Sequence, residues 1–566
     1  MVKGIRGSAR VKSAPLWLLM CAITACGALA AGIGARDLDL PGLYYDEVIQ
    51  AEPALAFLRR DPLPSEVPGI RGARLLGGWF PWMTQPYMGA LKSQALIPTF
   101  ALLDPGVAVL RGVTLAWAIA GLALAMVWAN RALGCAAAIV TGGLLAVDPS
   151  FLFIARHDWG SFSLALLLRC GALVLLYDGH HKRSPARLFA GGLCAGLGVY
   201  NKIDFAVWLI AATAALLCVA PTLLRSAFSK RRRETAAALA GLALGVAPIA
   251  IAAGGALAAA RAASRAQAGA SAWSEKLAVA AATLDGSYFQ RLILAGGRFE
   301  ALPEVSEALA GPGLAVLAAC LAGLLVVLLR ERVADRWGPR SQAQAFVVLC
   351  LIFTLVGLLL TPRAVRVHHY LNAWPFPQLT LAVAFTELWR RAAGAGGRGV
   401  ALRFAVVALG VCVGLGSLRI DQATLETLRT TGGRGRWSDA SLVFARALPE
   451  ATRIVALDWG FEGPLHFADP QRPISEPIWA LRRSRDPRLG VAIPGTPEDV
   501  YLVYEPEFAV FPYGGALLDA LGSVPANSVS VSVHADREGR PVFRAIRFER
   551  PHRLVFRGER VEVRLR

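Results

Sequence analysis

Apolar runs of roughly 18 residues or more recur along this chain, and each is long enough to cross a bilayer as a helix. In a medium without water every backbone N–H and C=O must be satisfied internally, so such runs fold as helices. Candidate spans lie near Ala14–Ile33, Gly106–Trp128, Cys135–Ile154, Gly160–Leu176, Leu188–Val199 and Phe205–Leu224. Others follow near Thr235–Ala260, Gly311–Leu329, Ala345–Leu360, Leu371–Leu388 and Val400–Leu418. That makes about eleven spans by the hydropathy-window rule. Only 17% of the 566 residues are charged, against roughly 25% in soluble domains. The fold class expected is therefore a polytopic α-helical membrane domain over residues 1–418, with a small soluble α/β or β-rich domain over residues 419–566.

The basic N-terminus, "MVKGIRGSARVKS", precedes the first run, and "ALAAG" resembles a signal-peptidase site. The run is long for a signal peptide, and a retained first helix is expected. With the N-terminus inside, the loops "HHKRSPAR", "RSAFSKRRRE", "RERVADRWGPR" and "WRRAAGAGGRG" all fall inside, as the positive-inside rule demands. The outside then receives residues 35–94, the turns near Arg156, Lys202 and Arg363, residues 261–310 and the C-terminal domain. A bacterial inner membrane suits this arrangement. The net charge of +19 is explained by the inside loops, which removes the argument for nucleic-acid binding. All nine cysteines lie within apolar runs, and no CxxC pair exists, so neither a zinc knuckle nor a disulfide framework is expected.

In the C-terminal region "TRIVALDWG" and "DVYLVY" read as short buried strands. The tail from Ser528 alternates apolar and polar residues, with turn signals at "REGRP" and "RGER", which predicts hairpins.

Charged residues gather at the outside turns. In "PGLYYDEVIQAEPAL" Asp46 and Glu47 follow two tyrosines just past the first span, and the residues after them suggest an amphipathic helix on the membrane. In "FIARHDWG" Arg156, His157 and Asp158 interrupt an apolar stretch, and ionisable groups so close to lipid need partners. "YNKIDF" places Lys202 and Asp204 at a third turn; a local ion pair is the plain account. "TPRAVRVHHYLNAW" crowds Arg363, Arg366, His368, His369 and Tyr370 at a fourth. Arginines in an outside loop run against the usual bias, and their guanidinium groups suit phosphate oxygens; snorkelling to lipid headgroups is the competing account. Carboxylates and cations at one membrane depth would suit an amphiphilic phosphate donor. A carboxylate would deprotonate an acceptor hydroxyl, and cations would stabilise charge on the leaving phosphate.

These segments, in this order, resemble the GT-C fold glycosyltransferases, the broad class of protein O-mannosyltransferases (glycosyltransferase family 39-like) and bacterial lipid A aminoarabinose transferases. The resemblance covers roughly residues 14–390. It is carried by "YYDE", "PYMGALKSQALIPTFALLDPGVAVLRGVTLAWAIAGL", "FIARHDWG", "GLCAGLGVYNK" and "RVHHYLNAWPFP". It implies a polyprenyl-phosphate-linked sugar donor, transfer on the outer face to a lipid, glycan or protein acceptor, and inversion at the anomeric carbon. Motif by motif, it implies Asp46 as general base with Glu47 beside it and Asp158 in a second charged turn. Arg156, Lys202, Arg363 and Arg366 would face the donor phosphate. Tyr45, His157, His368, His369 and Tyr370 would line the cleft. Gln85, Tyr87 and Lys92 lie where the first loop returns to the membrane.

"HDWG" departs from the usual wording of the second motif. No required cofactor is expected: a divalent metal shared by Asp46 and Asp158, as in some relatives, is disfavoured by Arg156 next door. The segment "LDWGFEGPLHF" (Asp458, Trp459, Gly460, Glu462, His466) reads as a strand-to-helix junction or an acceptor contact. A transporter or lipid flippase is the alternative from another class. It would place charges at the bilayer midplane, commonly in repeated halves, and no repeat is visible.

Overall fold

The computed structural model describes residues 15–62, 70–222, 229–266, 273–297, 302, 305–361, 366–393, 396–483 and 490–565. Each apolar stretch named above is mainly helical over its described residues. Among the described residues, seven helices are long and apolar enough to cross a membrane: Leu16–Gly34, Val107–Ala132, Phe162–Lys182, Arg232–Ile251, Gly313–Val333, Pro339–Leu359 and Gly396–Thr431. Cys135–Ala146 and Pro149–His157 form an eighth if the pair, bent by 62°, is one span. Pro185–Asn201, Phe205–Val219 and Phe376–Ala392 are helices of 17, 15 and 17 residues. Against the eleven spans expected, seven helices, or eight with the bent pair, are long and apolar enough to cross a membrane among the described residues, and these three are shorter. Asp148 and Pro149 break the third stretch, because proline cannot continue a helix hydrogen-bonded through its nitrogen.

Glycines set the closest helix contact. A Cβ on Gly192 would collide with the Ala238 carbonyl, one on Gly241 with the Phe189 carbonyl, and one on Gly245 with the Leu197 nitrogen. Helices Pro185–Asn201 and Arg232–Ala266 therefore meet backbone to backbone, the small-residue packing favoured in lipid. At one end of the helices the basic loops pair locally: Arg131 with Asp178 at 2.9 Å, Arg391 with Glu331 at 3.5 Å, and Arg231 on the His180 carbonyl at 3.1 Å.

At the other end the first loop is more structured than an amphipathic helix alone. Helix Tyr45–Val48 and helix Glu52–Arg59 precede a hairpin of β1 (Arg71–Leu75) and β2 (Gly78–Gln85), a short β3 (Met88–Gly89) and helix Leu91–Leu102. Helices Trp273–Leu284 and Tyr288–Ala295 occupy the second long loop.

Helix Gly396–Thr431 has 36 residues and runs through position 418 without a break. The limit expected at 418/419 falls within this helix, and the sheet-containing C-terminal region follows Thr431. Its main sheet runs β5 (Ile474–Ser475), β4 (Ile454–Ala456), β7 (Val500–Tyr504), β9 (Pro541–Phe548), β8 (Val529–Ala535). The β4–β5 and β4–β7 pairs are parallel, and β7–β9 and β8–β9 are antiparallel. A second antiparallel sheet holds β11 (Arg560–Leu565), β10 (His552–Arg557) and β6 (Val491–Gly495). Both tail hairpins stand at the expected turns, and "IVA" and "VYLVY" are fully buried strands. The domain is not tethered loosely. Ile454, Ala456, Phe461, Leu465, Leu502 and Phe543 share one apolar core with Leu43, Val48, Ala54, Leu55, Leu96 and Phe100 of the first loop.

Candidate active site

The site forms where four turns meet. Helix Pro149–His157 starts with Asp148, whose Oδ1 accepts from the Phe151 N–H at 2.8 Å. It stops because Asp158, Gly160 and Ser161 all take left-handed backbone angles, φ 50°, 73° and 60°. Asp158 Oδ1 then accepts the Ser163 N–H at 2.7 Å and ties the turn to the next helix. Asp and Ser in that region are uncommon, and such backbone clusters at functional turns. Asp158 is buried, with Lys92 Nζ 2.9 Å from its Oδ2.

The other residues of this motif turn away from any cleft. Arg156 is buried and donates to the carbonyls of Arg36, Asp37 and Leu40, closing the turn after the first helix. It was expected at a donor phosphate; its two terminal nitrogens are instead engaged by backbone, because three carbonyls at that turn need partners, while its Nε has no hydrogen-bond partner among the described residues. His157 is buried too, each ring nitrogen facing a backbone carbonyl, Phe153 at 2.7 Å and Leu40 at 3.3 Å. Its ring stacks on Phe289 at 5.0 Å, so it is a packed histidine and not a lining one.

Asp46 and Glu47 separate in the same way. Glu47 is buried and receives two hydrogen bonds from Arg111, 2.8 and 3.0 Å. Arg111 also donates to the carbonyls of Leu38, Pro41 and Gly42. Asp46 remains partly exposed at the surface of the same helical turn. Four residues on from Asp46, Gln50 links this turn to the second: its carbonyl accepts from Ser93 Oγ at 2.5 Å and its Oε1 from Ser161 Oγ at 2.6 Å.

The third and fourth turns close on the same place. Asn201 donates to the Ser161 carbonyl at 3.0 Å. Lys202, paired with Asp204 at 3.3 Å, lies 2.7 Å from where a Cβ on Gly160 would stand, and the His368 ring lies 3.2 Å from that point. The positive φ of Gly160 and the close Lys202 ammonium together favour glycine there. His368 and His369 are half-buried with ring centroids 4.1 Å apart, and Arg366 pairs with Glu275 at 3.7 Å. Tyr370, expected in the cleft, is buried and donates to the Lys276 carbonyl at 2.8 Å, on the side facing helix Trp273–Leu284. Arg363 lies outside the described residues. Tyr87 accepts the Ile203 N–H at 3.1 Å, which sets the first loop beside Lys202. Gln85 Oε1 is a buried atom without a hydrogen-bond partner among the described residues.

The C-terminal domain covers this region with aromatic rings. Tyr44 stacks on Trp437 at 4.1 Å, Trp437 lies 4.7 Å from Trp159, and Tyr45 lies 4.9 Å from Trp459. Asp458 is spent on the N–H groups of Trp459, Val510 and Phe511, so "LDWG" is a capped turn that presents Trp459. Burial, reinforced by Glu462, pushes the Glu476 carboxyl up to about 8. Burial and the carboxylates of Glu476, Glu52, Glu462 and Asp46 hold the Tyr45 phenol well above its usual value.

Sequence reasoning passed over two buried cations. Arg111 holds Glu47, and Arg169 donates to the carbonyls of Trp374 (2.6 Å) and Leu371 (3.4 Å) and to Asn372 Oδ1 (2.8 Å), fixing the turn behind His368 and His369. Both interrupt apolar runs, and an arginine inside such a run is itself a signal.

Fold and site together define a multi-pass membrane protein with an α/β domain seated over a ring of charged turns. No family model matches the chain, and no curated protein matches it in sequence. Among solved structures it is similar to ArnT from Cupriavidus metallidurans bound to undecaprenyl phosphate, with 14% identity and TM-score 0.48 over 94% of this chain and 98% of that one. The apo state of ArnT gives 14% identity and TM-score 0.48 over 93% and 98%. The Archaeoglobus fulgidus oligosaccharyltransferase tethered with an acceptor peptide gives 13% identity and TM-score 0.47 over 82% of this chain and 64% of that one.

Proposed function

We propose that this chain is a membrane glycosyltransferase of the GT-C type, moving a sugar from a polyprenyl-phosphate donor to an acceptor hydroxyl with inversion. The observation that carries the reading is the junction of four sequence-distant turns around Gly160. There a partly exposed acid, Asp46, stands on a turn tied through Gln50 and Ser161 to Lys202 and His368. Asp46 takes the proton of the acceptor hydroxyl as its oxygen attacks the anomeric carbon. The bond from that carbon to the phosphate oxygen breaks, and polyprenyl phosphate leaves with the electron pair. Lys202, Arg366 and Arg363 balance its charge. Glu47, Arg111, Arg156, Asp158 and Lys92 hold the frame.

The proposal needs no divalent metal, because Asp158, the acid that would share an ion with Asp46, is engaged by Lys92 and the Ser163 N–H. In the proposed setting, a bacterial inner membrane, the N-terminus is cytoplasmic and the C-terminal domain is extracytoplasmic. Mass spectrometry of envelope glycans and lipids with and without the protein tests the function. A product that loses one sugar when the protein is absent supports it. Unchanged products, with lipid or solute movement lost instead, would favour a transporter.

A further inference from the structure

The hairpin of β1 and β2 ends in Leu75–Leu76–Gly77–Gly78, with φ 51° at Leu76 and 83° at Gly77. Two-residue hairpin turns with both central residues left-handed favour Asn-Gly or Gly-Gly, which need no apolar surroundings. Here a leucine takes the strained position, and it is 83% exposed, beside Leu75 at 48%. Trp79 and Trp82 are each 36% exposed on the following strand. Contacts among the described residues do not cover this tip.

Its base is anchored to the membrane helices. Tyr200 donates to the Trp82 carbonyl at 2.7 Å and Gln94 to the Pro81 carbonyl at 2.9 Å. Met83 and Tyr200 form a small core with Ile249 of the helix beginning at Arg232, one of the seven able to cross a membrane. Ile251, two residues on, is exposed on that same apolar helix. Arg60 and Arg74 are exposed around the tip. The Arg60 side chain lies 3.6 Å from where a Cβ on Gly77 would stand, and the Arg74 guanidinium lies over the Trp79 ring at 5.8 Å. Tryptophan with arginine is the chemistry of the headgroup boundary.

We propose that this hairpin is a lipid-binding anchor: Leu75 and Leu76 enter the acyl region of the leaflet nearest the site, and Arg60 and Arg74 contact anionic headgroups. The anchor rests on the membrane reading of the helices and not on sugar transfer. Because β2 leads through Tyr87 to Ile203 beside Lys202, the hairpin forms the lipid-side rim of the candidate site.

The test uses the full chain with Leu76→Cys, labelled with an environment-sensitive fluorophore and reconstituted into nanodiscs containing anionic phospholipid. Unsubstituted protein labelled in parallel corrects for the native cysteines. Phospholipid carrying a nitroxide high on its acyl chain should quench the probe at least twofold, and aqueous iodide should quench it little. Quenching by iodide alone would overturn the proposal, as would protection from both quenchers, which would mean a protein partner covers the tip. Arg60→Gln combined with Arg74→Gln should lower the nitroxide quenching in anionic but not in neutral nanodiscs. Equal quenching in the two lipids would remove the headgroup contacts. The readout is independent of transferase activity, so failure here and failure of the proposed function are separable.

Discussion

Arg111 grips Glu47 with two hydrogen bonds of 2.8 and 3.0 Å, both side chains buried, while Asp46 one residue earlier stays partly exposed. The two acids should therefore fail differently. Asp46→Asn is expected to abolish transfer with normal protein level, membrane insertion and unfolding temperature. Glu47→Ala removes one partner of a buried pair, a loss of about 3–5 kcal/mol. It should show as poor yield and early unfolding. Near-normal turnover by Asp46→Asn would end its assignment as base.

Lys202 and Arg366 converge on the turn at Gly160 and His368 from separate elements. Lys202→Gln and Arg366→Gln should each raise KM for a polyprenyl-phosphate donor about tenfold, or ~1.4 kcal/mol. The acceptor KM should stay close to that of the parent. Steady-state kinetics with each substrate varied in turn separates the two. A rise in acceptor KM alone would place these cations at the wrong substrate.

Asp158 is held by Lys92 at 2.9 Å and by the Ser163 N–H at 2.7 Å, which leaves Asp46 without a second acid to share an ion. Purified protein should keep its activity through EDTA treatment. Loss of transfer that returns on adding a divalent cation would instead support a metal-dependent mechanism.

Glu476 is buried at the seam between Trp459 and the first loop, its carboxyl pushed up to about 8. A raised carboxyl favours folding while protonated. Its contribution is fully present below the ordinary value near 4.5 and is lost as pH rises toward 8, at up to about 1.4 kcal/mol per pH unit. Thermal unfolding followed from pH 5 to 9 should show stability falling over that window. Glu476→Gln, which cannot ionise, should flatten the fall. An identical pH profile for the variant would show that Glu476 is not the titrating group.

Much of the architecture was legible before folding. Apolar length marked the long membrane helices, and alternation with turn signals marked both tail hairpins, because these patterns repeat along the chain itself. The four charged turns were also found, since ionisable groups near lipid stand out. Roles within each turn were not. Arg156, His157 and Asp158 are three consecutive ionisable residues in sequence, yet the first two pack against backbone and rings while the third meets Lys92. Local pattern cannot tell them apart, because which way each side chain points depends on what the other turns bring.

The same limit explains Arg111 and Arg169. Their partners lie 64 to 205 residues away in sequence, so the need for a partner was visible but its identity was not. Hydropathy and periodicity alone pointed to a membrane-threading chain with a C-terminal domain rich in short strands. Only tertiary packing decided that the domain shares a core with the first loop, and which of two adjacent acids is exposed. Burial and ion pairing are set by contacts between distant segments, and no window of sequence contains both sides of such a contact.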